Sequence, residues 1–149
     1  MSRKLSPPNI AILAGGALML LGSFFAFYEY KIGGVSAGSS NAWDHGLFMV
    51  ATLPALLGAF MALQVALQAF SNIDMPPRLL GLTWDQVHVV LSFQAALLML
   101  AWFVRARPGF AELHIAFGAG YWLMAVATIV LVVAALMRTA ATRRRPRAV

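Results

Sequence analysis

Four apolar stretches, each near the length a helix needs to cross a bilayer, leave this chain few choices of fold. A hydrocarbon core about 30 Å thick takes roughly 20 apolar residues in helical form. Residues 10–28 carry no charged side chain at all, and residues 43–70 are interrupted chiefly by Gln64 and Gln68 near their end. Residues 84–104 and 113–137 complete the set. The runs are too long, and alternate too little, to be barrel strands. The expected fold is an all-α membrane protein, a four-transmembrane-helix antiparallel bundle forming one domain over residues 1–149.

Composition agrees with lipid as the main solvent. The chain is 61% hydrophobic and 11% charged, against about half and a quarter in soluble domains. A soluble chain this short leaves too much of its surface exposed to hide so many apolar residues. Without a single cysteine, disulfides, thiolate metal sites and a cysteine nucleophile drop out. Met1-Ser2-Arg3-Lys4 looks like the start of a secretory signal. The apolar run behind it is longer than a signal core and ends in aromatics, so it reads as a retained first span.

The net charge of +6 points to topology rather than to nucleic acid. With the N-terminus inside, Arg3, Lys4, Arg78, Arg138, Arg143, Arg144, Arg145 and Arg147 are cytoplasmic, and Lys31, Arg105 and Arg107 lie outside. That imbalance favours both termini in the cytoplasm, although Arg105 and Arg107 run against it. The basic tail, residues 138–149, should attract anionic lipid headgroups through its Arg143–Arg147 cluster. The first outer loop, residues 31–41, is rich in Gly and Ser and reads as flexible. Met75-Pro76-Pro77-Arg78 forms the inner turn and Arg107-Pro108-Gly109 the second outer one.

Two similar motifs precede spans two and three: Asn41-Ala42-Trp43-Asp44-His45 and Leu82-Thr83-Trp84-Asp85-Gln86-Val87-His88. Helix-start chemistry explains both. Asn41 and Thr83 suit the N-cap, Thr83 and Gln86 have capping-box spacing, and Asp44 and Asp85 fall where the helix dipole favours negative charge. Trp43 and Trp84 suit the membrane interface. The two motifs are expected on opposite faces of the membrane, so they cannot combine into one site.

Few residues are left to carry chemistry. Asp85, His88 and Ser92 share one helical face, either as a proton entrance or pH sensor or as an interfacial pair with the imidazole among headgroups. His45 and His114 open spans two and four on the outer side, a placement that would permit bis-histidine haem ligation; simple interfacial placement explains them without a ligand. Gln94 and Thr52 lie deep in their spans, where amides and hydroxyls usually bond to neighbouring helices. Together with Trp122, and beside a kink at Pro54, they outline a cleft for a lipid or quinone. Gly15, Gly58, Ala62 and Gly120 belong to small-residue strips that permit close helix approach.

No Asp, Glu, Lys or Arg occupies the centre of a span, the usual mark of an ion path or proton relay. No catalytic set, metal cluster or phosphate loop stands out, and no metal, cofactor or enzymatic activity is expected. The charge-free first span ending in aromatics (Phe24 to Tyr30), the Gly/Ser linker, Asn41-Ala42-Trp43 and the residue 82–88 motif together resemble small four-span membrane proteins of unknown function common in actinobacteria and related bacteria. That resemblance implies a bacterial plasma membrane and no assigned activity. The expected role is a non-catalytic accessory or scaffold subunit in contact with other membrane subunits or copies of itself. The alternatives are a binder or transporter of a hydrophobic ligand and a haem protein.

Overall fold

A computed structural model describes residues 5–71, 75–105 and 113–143. The first helix, α1 (Pro7–Gly22), starts with proline at positions whose N–H groups have no helical partner anyway. It stops at Ser23, whose hydroxyl donates to the Leu20 carbonyl at 2.6 Å. This end falls well short of residue 28, and the expectation of a continuous first span is corrected there. The residues beyond, Phe24-Phe25-Ala26-Phe27-Tyr28-Glu29-Tyr30, are dense in aromatics that favour extended backbone, and they turn into a strand.

That strand, β1 (Ala26–Ile32), pairs on one side with β2 (Val35–Asn41) and on the other with β5 (Leu113–Phe117), all antiparallel. The expected flexible loop at residues 31–41 is therefore half of a hairpin. Its turn is Gly33-Gly34, both with positive φ (58° and 84°), the geometry of a tight two-residue connection whose twist matches the strands. The expected start of the fourth span at Leu113 is corrected too: residues 113–117 are β5, placing Phe117 opposite Tyr28. Strands were not expected from uniformly apolar runs, because a half-buried strand and a lipid-facing helix draw on the same residues.

The helix expected as the second span opens irregularly. A 3-10 turn (His45–Leu47) and a π-turn (Phe48–Thr52) precede α2 (Leu53–Phe70). Pro54 supplies the reason: it has no N–H for the Val50 carbonyl, and its ring presses on that carbonyl. The turn widens, and the Leu53 N–H reaches back to the Phe48 carbonyl. Two short strands, β3 (Arg78–Leu79) and β4 (Leu82–Thr83), then lead into α3 (Trp84–Arg105). The last helix, α4 (Ala119–Arg143), runs past residue 137, so Arg138 is helical rather than the first residue of a tail.

Each helix packs antiparallel to its neighbours in a ring: α1 against α2 and α4, and α3 against the same two. Gly16 shows how close α1 and α2 come, since a Cβ there would lie 2.6 Å from the Ala62 Cβ. Gly120 is similarly pinned, 2.6 Å from a virtual Cβ to the Phe25 carbonyl. Met19, Met61, Met124 and Leu131 fill the centre. The outward surfaces are apolar, with Leu63, Leu97, Ile129 and Val133 at least half exposed. Residues 45–70, 84–105 and 119–142 are long and apolar enough to cross a membrane, at mean hydropathy 2.0, 2.0 and 2.2; α1 is apolar but shorter. The three-stranded sheet caps one end of the bundle, and β3–β4 lies at the other.

Candidate functional site

The strongest polar constellation sits at the end of the bundle away from the three-stranded sheet. Thr83 and Gln86 start α3 with reciprocal bonds. The Thr83 N–H donates to Gln86 Oε1 at 2.9 Å, and the Gln86 N–H donates to Thr83 Oγ1 at 3.4 Å. Trp84 anchors the same turn by donating from Nε1 to the Pro76 carbonyl at 2.9 Å. Asp85 is thereby held in the first turn of α3, facing the last turns of α4, which run antiparallel.

Arg138 on α4 meets it. Nε lies 2.6 Å from Asp85 Oδ1, with both side chains only 16% exposed. Thr142, one turn further along α4, donates to the other carboxylate oxygen at 2.7 Å. The remaining arms of the guanidinium reach two more helical positions. Nη2 donates to Gln68 Oε1 on α2 at 3.2 Å, and Nη1 lies 3.4 Å from His88 Nδ1 on α3. A guanidinium only donates, so His88 accepts through Nδ1 and carries its hydrogen on Nε2. Arg138 thus binds α2, α3 and α4 together, with a positive charge near a helix C-terminus and a negative one at a helix N-terminus, where each is favoured.

His88 is fully buried, and so is Ser92, whose hydroxyl donates to the Val89 carbonyl at 3.0 Å. The reading of His88 as an imidazole among headgroups gives way to a histidine enclosed by three helices. Its Nε2 has no protein partner, nor has the buried Oε1 of Gln64, whose amide nitrogen faces the Met75 sulfur at 3.7 Å. The one ion pair among the described residues is spent on internal bonds. What the arrangement does chemically is fasten helices.

The other sequence candidates do not gather around it or around one another. Thr52 is buried and gives its hydroxyl to the Ala42 carbonyl, while Gln94 and Trp122 both face outward. The three do not line a common cleft. Trp122 lies in the first turn of α4 beside Phe117 and Tyr121 rather than deep in a span. His45 is exposed on the 3-10 turn, and His114 stands on β5 opposite Lys31. Neither starts an α-helix. A cleft of about 450 Å³ at that end has His45, Phe48, Trp102 and Arg105 among its walls.

The first Trp-Asp motif also differs from the second. Asn41 ends β2 and accepts the Trp43 N–H on Oδ1 at 2.9 Å, and Asp44 precedes only the 3-10 turn. Trp43 stacks on Phe24 (centroids 5.7 Å apart) and donates from Nε1 to the Ser23 hydroxyl at 3.0 Å. The two motifs lie at opposite ends of the bundle. In the sheet, at the end that holds the first motif, the Tyr28 and Tyr30 hydroxyls lie 2.7 Å apart, and that hydrogen bond, with some burial, pushes the Tyr30 pKa above its ordinary value.

Sequence reasoning missed Arg138 and Thr142 as partners of Asp85. The available signal was that Arg138 stands apart from the Arg143–Arg147 cluster, directly after an apolar run. Most of that cluster, together with Arg3, Lys4 and the turn at Arg107-Pro108-Gly109, lies outside the described residues. Among the described residues, no three His, Asp or Glu side chains come together as a metal site would require. No protein family, curated protein or solved structure matches the chain.

Proposed function

We propose that the chain is a non-catalytic four-span protein of a bacterial plasma membrane, with both termini cytoplasmic, serving as an accessory or scaffold subunit in a larger membrane assembly. The observation that carries this reading is the fate of its charge. Arg138 and Asp85 are consumed in joining helices, while the outward helix faces are almost wholly apolar. A body built this way offers surfaces for packing rather than a reactive centre.

The four-span reading rests on α1 as well as the three longer helices. Sixteen residues rise about 24 Å, and the exposed Phe24 and Phe25 beyond its end extend the apolar surface. A modest shortfall is met by local thinning of the bilayer. An even number of crossings returns the C-terminus to the side of the N-terminus. Arg78, Arg138 and Arg143 stand at that end, against Lys31 and Arg105 at the sheet end, which supports a cytoplasmic assignment. The basic C-terminal residues then face anionic headgroups.

Extraction in a mild detergent, followed by mass spectrometry of whatever co-purifies in constant ratio, tests the role. A different membrane protein is expected to accompany the chain. Recovery of this polypeptide alone, as monomer or self-assembly, from its native membrane would overturn the accessory-subunit reading.

A further inference from the structure

Of the three long apolar helices, α3 is the least covered: 28% of its span is buried inside the protein, against 39% and 44% for the others. Its outward face runs through Val90, Phe93, Gln94, Leu97 and Ala101, a spacing of three and four that makes one continuous stripe. Gln94 is the middle of the helix, about 15 Å from either end. It is exposed and has no hydrogen-bond partner within the protein. Among described helical residues more than one turn from a helix end, it is the one exposed polar side chain.

If α3 crosses the bilayer, as the proposed function has it, that amide stands at the depth where water is scarcest. Something must bond it. A carboxamide is its own complement, offering one carbonyl acceptor and two N–H donors. Across a twofold axis a residue on the axis meets itself, so two Gln94 side chains facing each other exchange a pair of hydrogen bonds. A charged partner would leave half of the amide unanswered. The flanking residues of the stripe bear no other polar group, so a second copy meets both the carbonyl and one N–H of each amide, leaving one N–H apiece. Interhelical amide bonds of this kind are an established means of joining membrane helices.

We propose that the outward face of α3 is the contact of an isologous homodimer, centred on Gln94 paired with its twin. The inference depends on the membrane-spanning part of the proposed function and is independent of any accessory role.

The chain has no cysteine, so single cysteines give an unambiguous map. Leu97→Cys on the α3 face and Val133→Cys on the outward face of α4 are oxidised in carbonate-washed native membranes. Leu97→Cys is expected to give a covalent species of twice the chain mass, and Val133→Cys little of it. Adding Gln94→Leu to Leu97→Cys should cut the covalent dimer at least threefold, while the melting temperature shows the fold intact. Equal crosslinking at both positions, indifference to Gln94→Leu, or an adduct with a different protein overturns the dimer alone. Release of the chain by the carbonate wash overturns the dimer and the membrane reading together.

Discussion

Arg138 makes three separate attachments with one planar group, and the cost of removing it should show that. Arg138→Met leaves Asp85 partly buried without its counter-charge and Gln68 without a donor. A loss of about 2–4 kcal/mol is expected, because breaking one side of a buried pair strands the other. Replacing both partners, Asp85→Leu with Arg138→Met, should recover much of that loss, since well-packed apolar side chains often substitute for an ion pair at little cost. Unfolding of the two single variants and the double variant in one detergent gives the cycle directly. A double variant as unstable as the sum of the singles would mean that the two residues act independently. Asp85, His88 and Ser92 were legible as one face because helical spacing alone puts them there. Their partner was not, because an arginine after an apolar run looks the same whether the helix stops or continues. Only the packing of α4 against α3 distinguishes the two.

The three-stranded sheet shows the same ambiguity at the scale of whole elements. Hydropathy scores Phe27, Tyr28 and Val35 by their dislike of water, and a strand capping a bundle satisfies that as well as a span does. The local cue was Gly33-Gly34 flanked by β-prone residues, a hairpin signal that the surrounding Gly and Ser disguised as a flexible linker. Leu113–Phe117 had no such cue, because its place in the sheet is fixed by β1, far away in sequence. The turn carries its own prediction. Gly34→Val forces a branched residue into left-handed backbone and should cost about 1–2 kcal/mol, whereas Gly33→Asn should be tolerated. Thermal unfolding of the two variants compares them. An unaffected Gly34→Val protein would show that this turn does not have the backbone described. Pro54 was legible as an irregularity, though the sequence could not say that it would widen the helix into a π-turn rather than bend it.

At the scale of the molecule, three of the four expected spans were legible as long apolar helices, since length and hydropathy set them without reference to partners, whereas the first apolar run gives a helix of sixteen residues and then a strand. The orientation makes the sharpest demand on experiment. Ser39→Cys on β2 and Ala141→Cys near the end of α4 are both exposed positions at opposite ends of the bundle. In intact cells, a membrane-impermeant maleimide should label Ser39→Cys and reach Ala141→Cys only after permeabilisation. Equal labelling of both in intact cells would remove the four-span topology. The ends differ in kind as well: one is tied by an arginine between helices, the other by strands from both connecting segments.

Because β1 takes one neighbour from the start of the chain and the other from just before the final helix, it stays half-dressed through most of biosynthesis. Until the ribosome has delivered residues 113–117, the backbone groups along Tyr28–Ile32 on that side have nothing of their own to bind. A message cut short after α3 would leave the edge bare at that end of the bundle, a template for the strands of strangers. Quality control would meet such a fragment as a sticky one, and the last helix completes the protein partly by bringing the cover with it.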